Sequence, residues 1–289
     1  MTTAPALAAV RDRWSRAKGV VALTWGHPAN AGRRLQAVAR VVSFQVRGRL
    51  RGVRAIAPLG DHSRIWADAH VYISARAMYA NPLDWNEMQA WRRHLGPGDL
   101  FVDVGANVGL YTVWALDGGA EVIAIEPSPR SLALLEENLL LNGYCAQVVA
   151  AAAGAAPGTM AITSGLDQQN HLVVGAAPVS GDSEMVAVET LDAIVGDRVV
   201  AGLKIDVEGA EALVLAGAGR LLADKRVRLM QLEWNEASVD LLGQDREPLR
   251  RLLAGYGYEL FRPDRHGDLV PTDGSGFGAD IFARPIPEP

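Results

Sequence analysis

The chain has 289 residues, of which 49% are apolar and 21% charged, so it can bury a large core. It contains no uninterrupted apolar run of about 18 residues, so the sequence predicts no membrane-spanning helix. Its single cysteine, Cys145, excludes an internal disulfide and a zinc site built from several cysteines, and with the lack of a secretion signal it predicts a cytoplasmic protein. The net charge of −5 is unevenly divided, because residues 1–54 carry eleven Arg or Lys and one acid, which leaves the remainder strongly acidic.

Residues 1–60 are predicted to form a basic helical extension. Between Arg33 and Val46, apolar residues recur at helical spacing and form one stripe: Leu35, Val38, Ala39, Val42 and Val46. We expect this stripe to pack against the protein's own acidic body or against a second copy of the chain, which makes a homo-oligomer the expected assembly. The alternative interpretation is that a basic amphipathic helix of this kind rests on a membrane surface.

Residues 61–98 are predicted to form a short lead-in segment. Residues 64–66 and 71–73 have the apolar and aromatic pattern of a hairpin, and residues 81–84 have the pattern of a helix start. The Gly96-Pro97-Gly98 sequence predicts the end of that helix. The segment therefore leads into the next region without forming a domain of its own.

Residues 99–289 are predicted to form an α/β domain with a Rossmann-like, mostly parallel sheet, because strand and helix patterns alternate. The strands are expected at residues 100–104, 121–125, 146–150, 203–207, 228–234, 258–262 and 279–283. The helices are expected at residues 110–116, 129–141, 210–222 and 248–254. Residues 164–183 are rich in Gly, Ser, Ala and Gln and predict a long loop.

A loop with two glycines follows the first of these strands. The candidate binding residues are Asp103, Gly105, Ala106, Asn107 and Gly109. Glycine permits the sharp turn and lets the backbone come close to a ligand, which binds beyond the carboxyl ends of the strands in such sheets. The loop lacks the third glycine of a dinucleotide-binding loop and the Lys-Ser/Thr of a nucleotide-triphosphate loop, which disfavours NAD and ATP.

Two acidic residues indicate which ligand this loop binds. Asp103 would repel a pyrophosphate but attracts a ligand that carries an ammonium and a sulfonium, which favours S-adenosylmethionine. Glu126, which ends the second strand and precedes Pro127, is predicted to accept hydrogen bonds from both hydroxyls of the adenosine ribose. The alternative role for Glu126 is a favourable charge at the N-terminus of the next helix.

Four segments together resemble the FkbM family of class I methyltransferases. They are Asp103-Val-Gly-Ala-Asn-Val-Gly109, Glu126-Pro127, Val188-Glu-Thr-Leu-Asp192 and Lys204-Ile-Asp-Val-Glu-Gly-Ala-Glu211. The last of these is specific to the family, whereas many kinds of methyltransferase share the glycine loop. The resemblance covers roughly residues 85–235 and implies a seven-stranded sheet with an antiparallel last strand, S-adenosylmethionine as the methyl donor, and a sugar or polyketide hydroxyl as the acceptor. Asp192 is expected to cap a helix.

Three further acids end two neighbouring strands and are the candidate catalytic residues. Asp206 and Glu208 end the fourth predicted strand, and Glu233 ends the fifth. Methylation of an alcohol requires removal of its proton, so these acids predict either a general base or an oxygen-ligand site for Mg²⁺ held by Asp206 and Glu233. The structural alternatives are that Asp206 caps the helix after Gly209 and that Lys204 pairs with Glu233.

His171, in the predicted long loop, is the histidine most plausibly near a substrate and completes the set of candidate catalytic residues. The expected acceptor is a sugar, an oligosaccharide or a glycolipid, and the main alternative is a polyketide or another small molecule. Two alternative functions come from other classes of protein: a nicotinamide-dependent oxidoreductase and a non-catalytic binding module. The acidic body and the lack of an Asn-Pro-Pro-Tyr or Asp-Pro-Pro-Tyr motif disfavour a nucleic-acid partner.

Overall fold

The computed structural model describes residues 17–163, 183–234, 246–276 and 280–287. His171 lies outside the described residues. The described helices are α1 (17–26), α2 (Arg34–Arg51), α3 (Tyr72–Arg76), α4 (Trp85–His94), α5 (Leu110–Asp117), α6 (Pro129–Asn142), α7 (Leu191–Val195), α8 (Glu211–Ala216), α9 (Gly219–Ala223) and α10 (Glu247–Gly255). The described strands are β1 (Ala55–Leu59), β2 (Ser63–Ala67), β3 (Leu100–Val104), β4 (Glu121–Ile125), β5 (Gln147–Val149), β6 (Ala152–Ala153), β7 (Gly158–Thr163), β8 (Ser183–Glu189), β9 (Gly202–Ile205), β10 (Met230–Leu232), β11 (Tyr258–Pro263), β12 (Leu269–Pro271) and β13 (Ile281–Pro285).

The main sheet has the strand order β12-β11-β13-β10-β9-β3-β4-β5. Strands β5, β4, β3, β9 and β10 are parallel, and β13 runs antiparallel between β10 and β11. The predicted Rossmann-like sheet with an antiparallel last strand is therefore confirmed. The sheet has one strand more than the expected seven, because β12 pairs with β11 at the edge.

Apolar side chains cover both faces of this sheet. Phe101 packs on the side of α4, α5 and α6, and Val102 packs on the side of α7 to α10. This alternation explains why β3 is apolar at every position except Asp103, since a parallel strand is buried on both faces. A separate three-stranded sheet, β6-β8-β7, stands beside the carboxyl end of the main sheet.

The predicted helix over residues 210–222 is two helices, α8 and α9. The break comes at Gly217, where a Cβ atom would lie 2.0 Å from the carbonyl oxygen of Gly154. The close approach of these two backbones requires glycine and interrupts the helical pattern.

The lead-in hairpin differs from its prediction. Its strands are β1 and β2, and the predicted second arm at residues 71–73 begins helix α3 instead. Asp117, at the end of α5, accepts hydrogen bonds from the backbone of Asp61 and His62 at 2.7 and 3.0 Å and from the hydroxyl of Ser63 at 2.6 Å. Contacts from a distant helix thus decide where the hairpin turns.

Helix α2 buries a different stripe from the predicted one. Its buried residues are Ala37, Val41, Phe44 and Gly48, whereas Leu35, Val42 and Val46 are 76%, 46% and 50% exposed. The two stripes are offset by two residues, which is about 200° around a helix, so they face opposite sides. The prediction that the stripe from Leu35 to Val46 packs on the protein's own body is wrong, because the helix is apolar on two sides and Phe44 supplies the larger buried ring.

This difference predicts a contrast between two substitutions in α2. Phe44→Ala should lower the free energy of unfolding by about 3 kcal/mol, because it removes a buried ring and leaves a cavity. Leu35→Ala, at an exposed position of the same helix, should change it by less than about 0.5 kcal/mol. Urea denaturation of both variants measures the contrast, and a larger loss for Leu35→Ala would contradict the assigned faces.

Candidate functional site

A cavity opens at the carboxyl edge of the parallel strands. The loops that follow β3, β4 and β9 form one side of it, and residues of β6 and β7 and of the lead-in segment form the other. Six of the seven predicted cofactor-binding residues line this cavity, together with Asp206 and Glu208: Asp103, Gly105, Ala106, Asn107, Glu126 and Pro127. Gly109 and Glu233 are not in its lining. The topology therefore brings acids from three strand ends to a single space.

The glycines of the loop after β3 are required by packing within the protein. Gly105 has a φ of 76°, and a Cβ atom there would lie 2.0 Å from the carbonyl oxygen of Asp206. Gly109 has a φ of 86°, and a Cβ atom there would lie 2.4 Å from a methyl carbon of Leu135. Both glycines were predicted from the sharp turn and from close approach of a ligand, and their positive φ angles fit the turn. The loop also requires them because it is pressed against the end of β9 and against α6.

Asp103 is the most deeply buried acid of the cavity. One of its carboxylate oxygens accepts a 2.7 Å hydrogen bond from the hydroxyl of Thr112. The other, Oδ1, has no hydrogen-bond partner among the described residues. Burial raises the pKa of Asp103, whereas the nearby charge of Lys204 opposes this shift. A buried carboxylate oxygen without a partner is costly, and it suits a ligand that brings a cationic donor.

Glu126 holds the loop and the next helix together. Its two carboxylate oxygens accept hydrogen bonds from the backbone N–H groups of Asn107 and Ser128, both at 2.8 Å. Burial raises the pKa of Glu126 to about 7, although these two hydrogen bonds oppose the shift. Each carboxylate oxygen can accept more than one hydrogen bond, so both retain the capacity to bind the hydroxyls of a ligand in the cavity.

Lys204 and Asp206 form a charged pair at the end of β9. The Lys204 ammonium donates a 2.8 Å hydrogen bond to Oδ2 of Asp206 and lies 4.5 Å from the centre of the Tyr111 ring. Burial lowers the pKa of Lys204, but the charges of Asp206 and Asp103 outweigh this effect and raise it, so the ammonium remains protonated. The predicted alternative in which Lys204 pairs with Glu233 is wrong.

Asp206, Glu208 and Glu233 can each direct one carboxylate oxygen to within 4.8 Å of the other two. Strand β9 ends at Ile205, two residues before its predicted end, and Glu208 adopts a left-handed conformation with a φ of 52°. The turn after the strand, and not strand alternation, therefore brings Asp206 and Glu208 together. A non-glycine residue in this conformation is strained, and such strain is common at functional sites.

Like charges in this cluster suppress ionisation. Burial raises the pKa of Glu208 to about 7, and the charge of Asp206 adds to the shift. Burial raises the pKa of Glu233 to about 9, with further contributions from Asp206 and Glu208. At neutral pH, Glu233 therefore carries a proton and Glu208 is close to half ionised. The three acids can share protons, or they can supply oxygen ligands to a divalent cation.

Two other residues of the Lys204–Glu211 and Val188–Asp192 motifs have structural roles. Glu211 accepts hydrogen bonds from the backbone of Gly209 at 3.0 Å and from Arg246 at 2.6 Å, and Asp206 does not cap α8. Asp192 accepts hydrogen bonds from the backbone N–H groups of Arg220 and Leu221 at 2.9 and 3.0 Å. It therefore caps α9, which lies 28 residues further along the chain.

The sequence argument missed Asp280 and Glu87, two acids beside this cluster. Asp280 accepts a 2.7 Å hydrogen bond from Gln231, and burial raises the pKa of both acids to about 7. Leu232 pairs with Ile281 in an antiparallel register, which brings Asp280 opposite Glu233. The position of Asp280 could have been predicted, because an antiparallel last strand begins at the edge of the sheet where the parallel strands end.

The lead-in segment contributes a polar wall to the cavity. Arg76 and Asp84 line it and pair at 3.1 Å, and the hydroxyl of Tyr111 donates a 3.0 Å hydrogen bond to the other oxygen of Asp84. Nε of Arg76 is buried and has no hydrogen-bond partner among the described residues. Ile73, Leu83 and Leu110 add apolar surface at the same end.

Comparison with known proteins identifies the middle of the chain. The family model described as Methyltransferase FkbM domain matches residues 103–260, which is more than half of the chain. The chain is 27% identical to the 31-O-demethyl-FK506 methyltransferase FkbM of Streptomyces tacrolimicus, in an alignment that covers 43% of this chain. That alignment covers 60% of the relative, so the chain spans less than two thirds of the relative's length.

Solved structures with related folds include two methyltransferases of low sequence identity. One is the 16S rRNA N2 G1207 methyltransferase RsmC of T. thermophilus in complex with AdoMet and guanosine, with 15% identity and a TM-score of 0.46. The match covers 81% of this chain and 50% of that one. The other is a TehB-like SAM-dependent methyltransferase from Corynebacterium glutamicum, with 13% identity and a TM-score of 0.40. The match covers 69% of this chain and 88% of that one.

The raised pKa of Glu233 predicts that stability falls with rising pH. Between about pH 4.5 and 9 the folded protein holds on Glu233 a proton that the unfolded chain has released, so Glu233 should contribute a fall of up to about 1.4 kcal/mol per pH unit in the free energy of unfolding. The other acids with raised pKa add to this slope below about pH 7. Glu233→Gln should flatten this slope, and Glu121→Gln, at an exposed position of β4, should not. Chemical denaturation in EDTA at pH 5 to 9 measures it, and an unchanged slope in Glu233→Gln would contradict the raised pKa.

Proposed function

The chain belongs to the FkbM methyltransferase family, and we propose that it is an S-adenosylmethionine-dependent O-methyltransferase that acts on a hydroxyl of a sugar, an oligosaccharide or a glycolipid. One observation carries the proposal: Asp206 and Glu208 line the same cavity as Asp103 and Glu126. Acids suited to accept a hydroxyl proton therefore border the space suited to hold the donor. Family membership favours methyl transfer over a nicotinamide-dependent oxidoreductase, and the acid cluster favours catalysis over a non-catalytic binding module.

Asp103 and Glu126 are the residues proposed to hold the donor. The unpartnered Oδ1 of Asp103 supports a contact with the ammonium of the methionine moiety, and its burial strengthens that attraction. The Glu126 carboxylate, kept in position by the N–H groups of Asn107 and Ser128, supports hydrogen bonds to the two ribose hydroxyls. When bound, S-adenosylmethionine supplies an electrophilic methyl group on a sulfonium.

Asp206 is proposed to hold the acceptor hydroxyl and to receive its proton. The reaction forms the bond between the hydroxyl oxygen and the methyl carbon and breaks the bond between that carbon and sulfur, whose electron pair remains on the thioether. The hydroxyl proton passes to the carboxylate cluster, where Glu208, with a pKa of about 7, can exchange it with water. Lys204 keeps Asp206 in one orientation through their 2.8 Å contact.

A second form of the proposal uses Asp206, Glu208 and Glu233 as ligands of Mg²⁺. Their carboxylate oxygens are within reach of one another and are the ligand type that Mg²⁺ prefers. A bound divalent cation would lower the pKa of the acceptor hydroxyl and displace the proton held by Glu233. The two forms differ in their response to a chelator.

The polar wall at the far end of the cavity supports a sugar-like acceptor. Arg76, with its partly unsatisfied guanidinium, and Asp84 offer a donor and an acceptor of the kind that hydroxyl-rich ligands require. A polyketide is the second candidate, because Ile73, Leu83 and Leu110 supply apolar surface and because the curated relative's name gives 31-O-demethyl-FK506 as its substrate.

Screening with labelled donor tests the reaction and the acceptor class together. Sugars, oligosaccharides, glycolipids and polyketides are incubated with the protein and S-adenosylmethionine, and the methylated position is determined. Transfer to a carbohydrate hydroxyl is the expected result. Transfer only to a polyketide would favour the second candidate, and transfer to nitrogen or carbon would overturn O-methylation.

Glu126→Ala should weaken the binding of S-adenosylhomocysteine by roughly 10- to 100-fold, because it removes a charge-assisted pair of hydrogen bonds to the ribose. Glu121→Ala is the matched control, since Glu121 begins the same strand, β4, and is exposed. Isothermal titration calorimetry measures both affinities. Equal affinities for wild type and Glu126→Ala would remove Glu126 from the donor site.

Asp206→Asn should slow turnover by about 10²- to 10⁴-fold and leave the affinity for S-adenosylhomocysteine nearly unchanged, because the amide retains the shape but accepts no proton. Turnover of the acceptor found in the screen, measured beside calorimetric donor binding, separates the two effects. Wild-type turnover in Asp206→Asn would contradict the proposed base.

EDTA distinguishes the two forms of the mechanism. In the metal form, EDTA should abolish turnover and added Mg²⁺ should restore it. At pH 8.5, Mg²⁺ should also raise the melting temperature of the wild type but not that of Glu233→Gln. Activity that is insensitive to EDTA, together with an unchanged melting temperature, would leave only the metal-free form.

A further inference from the structure

Helix α2 presents an apolar stripe to solvent on the side opposite its buried face. Leu35 is 76% exposed and Leu50 is 80% exposed, and Val42 and Val46 lie between them at 46% and 50%. Val53, just after the helix, is 58% exposed. Single exposed apolar residues are ordinary, but a continuous row of them along an 18-residue helix indicates a contact surface.

The chain segment that carries this stripe has charges of one sign only. Residues 13–60 contain no Asp or Glu, and Arg47, Arg49 and Arg51 are exposed in the last turns of α2. Arg34 lies over the ring of Trp25, which is itself 44% exposed, at 5.8 Å from the ring centre. Apolar residues flanked by arginines, with a tryptophan nearby, are the composition of helices that lie in the interface of a bilayer.

We infer that the exposed face of α2, defined by Leu35, Val42, Val46 and Leu50 and the flanking arginines, docks on an anionic lipid bilayer. In this orientation the apolar side chains enter the boundary between head groups and acyl chains, and the arginines contact lipid phosphates. None of the helices in the described residues has the length and hydropathy to cross a membrane, so the contact is with the surface.

The same charges argue against a symmetric dimer through this face. A twofold axis makes the same patch meet itself, so Arg47, Arg49 and Arg51 of one copy would meet a patch of the second copy whose own segment, residues 13–60, is basic and contains no acid. Such a contact would gain apolar burial but oppose it with repulsion between like charges. An anionic bilayer satisfies the apolar stripe and the arginines together.

The docking face is tied to the acceptor end of the cavity. Arg40 of α2 donates a 3.1 Å hydrogen bond to the carbonyl of Met78, and His27 contacts the carbonyl of Leu83 at 2.7 Å. Leu83 and Asp84 line the cavity. Docking would therefore place the bilayer on the far side of α2 from the segment that lines the proposed acceptor end of the cavity, so that a glycolipid acceptor is available nearby. That connection rests on the proposed function, whereas docking itself does not.

Flotation with lipid vesicles tests the docking. The full chain is incubated with vesicles of phosphatidylcholine alone and of phosphatidylcholine and phosphatidylglycerol at a 7:3 ratio. We expect binding to the anionic vesicles only, and its loss in high salt. Failure to float with either vesicle would overturn the proposal.

Two variants locate the binding face. The charge variant replaces three arginines by glutamine, at Arg47, Arg49 and Arg51, and should weaken partition about 100-fold, since each surface cation strengthens it roughly fivefold. The apolar variant replaces four residues by serine, at Leu35, Val42, Val46 and Leu50, and should weaken it at least tenfold.

Matched controls carry the same kinds of substitution elsewhere. The apolar control replaces exposed residues by serine at Leu140, Met185, Val199 and Val270, and the charge control replaces exposed arginines by glutamine at Arg228, Arg251 and Arg265. Both should float as the wild type does. Thermal unfolding of all four variants, followed by circular dichroism, reports whether each remains folded and does not depend on the proposed donor.

Two other outcomes would overturn docking. If light scattering shows that the wild type is a dimer and that the apolar variant is a monomer, with no flotation of either, the face binds a second copy. If the wild type floats with neither vesicle but binds RNA, and the charge variant does not bind RNA, the arginines serve a nucleic acid. Flotation without methylation of any glycolipid would leave docking intact and count against the proposed acceptor alone.

Discussion

Hydrogen bonds that continue the parallel ladder beyond the strand ends hold the site together. The N–H groups of Gly105 and Ala106 both donate to the carbonyl of Ile125, that of Asp206 donates to Val104, and that of Glu233 donates to Ile205. Each loop is therefore attached to the neighbouring strand at the point where its own strand stops. Because all of these strands point the same way, the three loops can only meet at one edge of the sheet.

This convergence has an electrostatic consequence. Carboxyl groups from neighbouring strands are brought close together with a single buried ammonium, that of Lys204, among the described residues of the cluster. Burial and mutual repulsion raise the pKa of Glu208, Glu233 and Asp280 toward or above neutrality. A site of this kind is costly to the folded state, and it provides groups that exchange protons near pH 7, as the proposed removal of a hydroxyl proton requires.

The part of the chain outside the family match completes the cavity. The family model begins at residue 103, whereas Arg76 and Asp84 line the cavity and helix α2 packs on the segment that carries them. The residues proposed to hold the donor thus come from the matched region, and those proposed to face the acceptor come in part from the lead-in segment. If these assignments hold, differences in acceptor between related chains are expected to arise in such added segments, because the sheet edge has little freedom to change.

The sequence alone determined the strands at the centre of the sheet and the residues of the proposed donor site. Buried parallel strands are mostly apolar along their length, so β3 and β4 were predicted at their observed residues, and Asp103 and Glu126 were proposed from their positions near those strand ends. Tertiary structure decided which apolar face of α2 is buried, that Lys204 pairs with Asp206, and that Asp280 lies opposite Glu233. These outcomes depend on partners far away in the chain. Local periodicity describes how a segment is shaped, but it carries no information about which distant surface will cover it.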